Sequence, residues 1–254
     1  MKNYKETILL IGAGNMGVEY AKVLRALNLS FVVVGRSKKT AFNFQKTIGL
    51  LPAIGGIKKW LNNKNKPPKI AIVAVNEEEA GEATRLLIKN GVKKILAEKP
   101  GGLNTADIRL TAKLAKKFKA KVFIAYNRRF YASTAKAREI IKKDGGVLSF
   151  TFDFTERSYV IEKLKTSSAL VKQNWFLANS THVIDMAFFL SSKPAKICSY
   201  KNGRLEWHPS GSIYSGSGIT KSGALFSYHA NWESAGRWSI EIMTPKNKLI
   251  FRPL

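Results

Sequence analysis

Thr7-Ile8-Leu9-Leu10-Ile11-Gly12-Ala13-Gly14-Asn15-Met16-Gly17 is the stretch whose reading decides the fold. Four apolar residues, Ile8 to Ile11, read as a short buried strand. Glycines follow at once, and then Val18, Ala21, Leu24 and the Ala26/Leu27 pair recur at roughly helical spacing. Strand, G-x-G-x-x-G, helix is the context that makes a glycine pattern a dinucleotide-binding signal. In that reading Gly12 makes the tight turn, Gly14 lets the backbone approach a pyrophosphate, and Gly17 lets the helix pack closely on the strand. The phosphates then lie at the helix N-terminus, where free N–H groups and the macrodipole favour anions.

Outward from this unit the pattern repeats. Ser30 to Ser37 contains the β-branched run of a second buried strand. At the end of such a strand an acidic residue holds the ribose 2′-OH of NAD. Here Gly35, Arg36 and Ser37 stand in that place, with no carboxylate among them to repel a 2′-phosphate. The Arg36 fork and the Ser37 hydroxyl suit that phosphate, so NADP(H) is preferred, with NAD(H) a possible cofactor. A helix over 40–48, a breaker-rich turn over 50–56 and a short helix over 57–61 follow. Strands over 69–75, 93–97 and 122–125 alternate with helices over 77–90 and 105–119, which implies a parallel sheet of βαβ units.

Beyond Ala125 the grammar changes. Tyr126-Asn127-Arg128-Arg129-Phe130 is a polar and aromatic cluster at a strand's C-terminal end, where open α/β sheets place ligands. A helix over 131–143 precedes Val147 to Thr155, which alternates like a half-exposed antiparallel strand. Residues 156–173 read as partly loop, and 175–190 as helical in the later half. Strands are expected over 195–200, 205–207, 223–232, 238–243 and 248–251, with Ser210 to Gly218 a flexible connection. The fold class is therefore α/β. A doubly wound parallel Rossmann sheet over 1–125 precedes an α+β domain over 126–254, whose open sheet is largely antiparallel.

Composition sets outer bounds. The chain has 254 residues, 45% of them hydrophobic, enough for two cores. No apolar run is long enough for a transmembrane helix. Lys2 and Lys5 precede an apolar stretch as in a leader peptide, but the stretch is too short and no cleavage site follows, so the reading is cytoplasmic. One cysteine, Cys198, excludes an internal disulfide and a multi-cysteine metal site; its strand-like surroundings point to core packing. Lys and Arg number 43 against 17 Asp and Glu, a net charge of +26 that attracts polyanions. The lysines are scattered along nearly every expected helix rather than massed in one arm, which disfavours nucleic acid as the partner.

Three motifs in order carry a family resemblance: Gly12-x-Gly14-x-x-Gly17, then Glu98-Lys99-Pro100 after a late Rossmann strand, then His182-x-x-Asp185 on a helix of the second domain. The sequence resembles the glucose–fructose oxidoreductase and inositol dehydrogenase (Gfo/Idh/MocA) family, as a short divergent branch. The resemblance implies hydride transfer between NAD(P) and a sugar or nucleotide-sugar derivative lying on the second domain's sheet. It implies cofactor contacts from Gly12, Gly14, Asn15, Met16, Gly17, Gly35, Arg36, Ser37, Val75, Asn76, Glu98 and Lys99. Substrate contacts fall to Tyr126, Asn127, Arg128, Asn179 and His182, and catalysis to Lys99, His182 and Asp185, with no metal. An ammonium beside a nicotinamide cation has its pKa depressed, which suits Lys99 for proton transfer, and His182 titrates near neutrality. The i,i+3 spacing puts His182 and Asp185 on one helix face. In this family the Lys-Pro bond is often cis.

Departures accompany the match. Many members read D-x-G-x-H where this chain has Ala178-Asn179-Ser180-Thr181-His182, a form associated with surface-polysaccharide biosynthesis. The polar run after the fourth strand becomes Asn76-Glu77-Glu78-Glu79. Members are commonly longer, and this chain stops just after a strand, at Phe251-Arg252-Pro253-Leu254, which leaves the completeness of the second domain's C-terminus open. A homodimer or homotetramer through the open sheet face is implied. The rival readings are a catalytically inactive NADP(H)-binding regulator and, behind it, a nucleic-acid-associated protein.

Overall fold

The computed structural model describes residues 6–254, so Lys2 and Lys5 lie outside the described residues. The chain divides into two compact units, Met1–Ala125 and Tyr126–Leu254.

The first unit alternates strand and helix: β1 (Ile8–Ile11), α1 (Asn15–Ala26), β2 (Phe31–Gly35), α2 (Lys38–Ile48), β3 (Ala53–Ile54), α3 (Gly56–Asn62), β4 (Ile70–Val73), α4 (Glu77–Lys89), β5 (Lys94–Ala97), α5 (Thr105–Lys117) and β6 (Lys121–Ile124). The turn expected over 50–56 thus contains the short strand β3, which pairs with the end of β2. The sheet order is β3-β2-β1-β4-β5-β6, every neighbouring pair parallel. β1 is apolar throughout because both of its faces are covered. Ile8 and Leu10 pack on Ala21 and Leu24 of α1 and on Phe44 and Ile48 of α2. Leu9 and Ile11 pack with Leu87 and Ile88 of α4 and Ala115 of α5. The strand order reverses at β1 and β4, and such switch points open a crevice at the strands' C-terminal ends.

The second unit opens with a 3₁₀ turn (Asn127–Phe130) and continues with α6 (Ala132–Lys143), β7 (Ser149–Asp153), α7 (Ser158–Glu162), α8 (Ala169–Gln173), a π turn (Phe176–Ser180) and α9 (Thr181–Leu190). Strands β8 (Pro194–Asn202), β9 (Ile213–Thr220), β10 (Leu225–Asn231), β11 (Ser239–Met243) and β12 (Lys248–Phe251) complete it. The sheet order is β12-β11-β7-β10-β9-β8. β7 alternates as expected, Phe150 and Phe152 buried and Thr151 exposed. It is antiparallel to β11 and parallel to β10, so the sheet is largely antiparallel, as expected, with one parallel pair. Phe226 and Tyr228 of β10 stack on Phe150 and Phe152 at 5.3 and 5.4 Å, and Phe188 of α9 meets Phe226 edge-on at 5.0 Å. This aromatic layer is the core of the second unit.

Three expectations are corrected here. Residues 205–207 form no strand; Leu205 and His208 close a tight turn by mutual backbone bonds. From Ile213 onward the Ser-Gly tract is no flexible connection but strand β9, paired on both sides. Gly216 and Gly218 lie opposite Tyr228 and Phe226, whose rings occupy the space of the missing side chains; a Cβ on Gly218 would lie 2.7 Å from Phe226 Cζ. Aromatic cover of a strand glycine replaces the packing that glycine lacks. Cys198, finally, is exposed on edge strand β8 and not in the core. Its in-register neighbours Ser217, Ser227 and Thr151 lie on the sheet face opposite the aromatic layer. Among the described residues no helix is long and apolar enough to cross a membrane.

Candidate functional site

In the first unit the three glycines have three distinct environments. Gly12 has φ +114°, and a Cβ there would collide with the Ala74 carbonyl oxygen of the neighbouring chain segment. A Cβ on Gly17 would strike the Gly12 carbonyl oxygen, so the first turn of α1 rests directly on the turn before it. Gly14 faces open space, with nothing within 4 Å of its Cβ position. It is the N-cap of α1, without a side-chain cap and without an acidic residue in the first turn. A helix start leaves its first N–H groups without intrahelical partners and carries positive potential. Closed packing on either side of an open, uncapped helix start is the shape a pyrophosphate needs. Asn15 and Met16 form the first residues of that helix.

A cavity of about 440 Å³ opens beside this turn, lined among others by Gly12, Gly14, Gly35, Arg36, Val75, Asn76 and Glu79. Ser37 caps α2, its hydroxyl accepting from the Thr40 N–H at 3.2 Å. Arg36 forms an ion pair with Glu79 of α4. The expectation that no carboxylate stands at this place therefore needs correcting: none comes from the end of β2, but one arrives from α4.

At the C-terminal end of β5, Glu98 accepts a hydrogen bond from the Tyr20 hydroxyl at 2.6 Å. Burial, reinforced by Glu98, pushes the Tyr20 phenol far above its ordinary range, so it remains a donor. Lys99 follows, its side chain 22% exposed and its Nζ 3.9 Å from the Glu77 carboxylate. The Lys99–Pro100 peptide bond is cis. Glu77 and Lys99 meet because adjacent parallel strands β4 and β5 end side by side.

In the second unit Tyr126, Arg128, Arg129, His182 and Asp185 gather around α9. The His182 ring meets Tyr126 edge-on at 6.0 Å and lies 6.3 Å from Trp238. Burial, above all, pushes the Tyr126 hydroxyl pKa up. Arg128 lies over Trp238 at 5.0 Å and over Tyr131 at 5.8 Å, and its buried Nε has no hydrogen-bond partner among the described residues. Arg129 instead grips Asp185, its Nε donating to Oδ2 at 2.7 Å. That hydrogen bonding raises the Arg129 pKa further. Asn127 is exposed on the 3₁₀ turn. Asn179 and Ser180, which stand in the altered run before His182, both donate to Glu156 at 3.0 Å. Glu156 is only 2% exposed, and burial pushes its carboxyl pKa up.

The sequence reading missed Glu77, Glu79 and Glu156. For Glu77 the signal was present, since the residues just after two neighbouring parallel strands face each other. Glu156 carried none, being one acidic residue in a stretch that read as polar loop.

Comparisons with known proteins bear on the fold. Residues 7–126 match a family described as an oxidoreductase family with an NAD-binding Rossmann fold. No curated protein matches the sequence. Among solved structures, the WlbA dehydrogenase from Chromobacterium violaceum, in complex with NADH and UDP-GlcNAcA, is 14% identical with a TM-score of 0.77, over 98% of this chain and 74% of that one. The WlbA dehydrogenase from Bordetella pertussis, also with NADH and UDP-GlcNAcA, is 14% identical with a TM-score of 0.76, over 97% and 77%. Levoglucosan dehydrogenase in complex with NADH and levoglucosan is 17% identical with a TM-score of 0.76, over 97% and 73%. Residues 7–126 are thus similar to the Gfo/Idh/MocA family of NAD-binding Rossmann oxidoreductases, and over nearly its whole length the chain has the fold of these solved dehydrogenases.

Proposed function

We propose that this chain is an NAD(P)-dependent oxidoreductase that interconverts a CH–OH group and a carbonyl on a sugar or nucleotide-sugar derivative. The observation that carries the reading is the glycine turn: Gly12 and Gly17 are closed by backbone, while Gly14 is open at the uncapped start of α1. A bound nicotinamide dinucleotide supplies the hydride acceptor or donor. The sugar class is supported by the shared fold with dehydrogenases solved with UDP-GlcNAcA and levoglucosan.

Within the chain, Lys99 is assigned proton exchange at the substrate oxygen, with Glu77 holding its ammonium at 3.9 Å. His182 is assigned contact with a substrate hydroxyl and a second proton-handling role. Arg128, with an unpartnered Nε, is the arginine available to substrate; Asp185 acts by fixing Arg129. Arg36 is the residue for a 2′-phosphate, and NADP(H) is the preferred cofactor. The uncovered sheet face, which exposes Tyr200, Leu225 and Ile250, is the surface for a dimer or tetramer. The reading places the enzyme in the cytoplasm.

The test is turnover on a panel of free and UDP-linked sugars, followed by nicotinamide absorbance, for the wild type, Lys99→Met and His182→Ala. The expected result is activity on one class, reduced at least about 100-fold by Lys99→Met with nucleotide binding retained. Tight nucleotide binding with no turnover on any sugar, and no effect of Lys99→Met, would establish a regulatory binding protein instead.

A further inference from the structure

Two carboxylates one helical turn apart on α4, Glu79 and Glu82, reach across the same cavity to two cations on its other wall. Glu79 pairs with Arg36 at the end of β2, and Glu82 pairs with Lys58 of α3 at 2.7 Å. All four residues line the cavity that flanks the glycine turn. The Arg36 and Glu79 side chains are 68% and 41% exposed, so their ion pair is solvated and easily opened. Arg36 nevertheless directly follows β2, the position at which a Rossmann unit distinguishes a ribose 2′-hydroxyl from a 2′-phosphate.

A guanidinium presents one planar fork, which fits a carboxylate or a phosphate. A 2′-phosphate carries between one and two negative charges near neutral pH. To use Arg36 it must displace the Glu79 carboxylate from the guanidinium. A ribose hydroxyl faces no such demand. We infer that Glu79 is a specificity-determining residue: by occupying Arg36 it limits the preference for NADP(H) over NAD(H) that Arg36 alone would confer. This rests on the reading above that the cavity takes a nicotinamide dinucleotide.

The experiment is fluorescence titration of NADPH and NADH, at one ionic strength, against the wild type, Glu79→Gln, Glu82→Gln, Arg36→Ala and the Arg36→Ala/Glu79→Gln double variant. The readout is the ratio of the two affinities. Glu79→Gln is expected to raise the ratio in favour of NADPH by about tenfold. Glu82→Gln, which removes an equal charge one turn away, is expected to move it by less than about twofold. The double variant is expected to match Arg36→Ala, because Glu79 acts through Arg36. A ratio in Glu79→Gln equal to the wild type overturns the inference while both nucleotides still bind. So does an equal rise in Glu82→Gln, or a rise that survives in the double variant. If neither nucleotide binds the folded wild type, the cofactor reading itself fails and this inference with it.

Discussion

Arg129 and Asp185 are held to each other by two parallel hydrogen bonds, Nε to Oδ2 at 2.7 Å and a terminal nitrogen to Oδ1, across 56 positions of sequence. The pair ties the 3₁₀ turn after Tyr126 to the middle of α9. Arg129 also lies over the Phe189 ring at 4.8 Å, so its guanidinium is fixed from two sides. Asp185→Ala is expected to lower stability by about 1–2 kcal/mol, a value discounted for the partial exposure of Arg129. Arg129→Ala and the double variant close a cycle, in which the coupling should account for most of the loss. Denaturant titration measures it; additive single losses would show that the pair contributes nothing.

Glu156 gives a prediction in pH. Burial raises its carboxyl pKa above the ordinary glutamate value of about 4.3. The folded chain therefore holds this proton more tightly than the unfolded chain. Its contribution to stability is fully present below the ordinary value and is lost as pH rises through the raised one. Glu156→Gln keeps an acceptor for the Asn179 and Ser180 donors and does not titrate. The wild type should lose melting temperature relative to Glu156→Gln across that window and match it below. Parallel melting curves at every pH would mean that the carboxyl titrates alike in both states.

The glycine turn separates folding from binding. Gly17→Ala drives a methyl group into the Gly12 carbonyl and is expected to cost more than about 2 kcal/mol of stability. A Cβ at Gly14 has nothing within 4 Å, so Gly14→Val extends from open space. It should melt within about 1 kcal/mol of the wild type yet weaken nucleotide binding at least about tenfold, because its side chain enters the space of the pyrophosphate. Thermal melts and nucleotide titration on the same samples decide this. Retained binding in Gly14→Val would remove the pyrophosphate from this turn.

Cys198 is the chain's one cysteine, and it is exposed. It should react fully with an aromatic disulfide reagent in the native state at low protein concentration. If the uncovered sheet face joins two copies, protection should grow with concentration in step with the mass measured by light scattering. A thiol that reacts only after denaturation would place Cys198 in the interior.

How much of this was legible before the structure depended on the range of the interactions involved. The parallel unit could be read from short runs such as Ile8–Ile11 and Ile70–Val73, because strands buried on both faces need continuous apolar residues. The site was legible only as a set of motifs. Lys99 and Asp185 stood out through their neighbours in sequence, whereas their ion-pair partners came from elsewhere in the chain. Glu77 approaches Lys99 from another strand's end, and Asp185 is engaged by a residue on a different element. The Ser-Gly tract misled for the same reason: serine and glycine have weak strand preference, and only the rings of Tyr228 and Phe226 make those glycines good strand residues.

The sequence by itself determined the alternation of strand and helix in the first unit, β3 apart, the tight turn at Gly12, the close packing at Gly17, and the alternation of β7. These follow from local sterics and from the periodicity of burial, which a chain carries in its own residues. Tertiary structure alone decided that Cys198 faces outward, that Glu79 occupies Arg36, that Asp185 serves Arg129, and that Asn179 and Ser180 turn toward a buried Glu156. Each of these pairs or exposures depends on which distant segments the fold brings together, and a side chain's charge and hydrogen-bonding capacity do not name the partner that will use them.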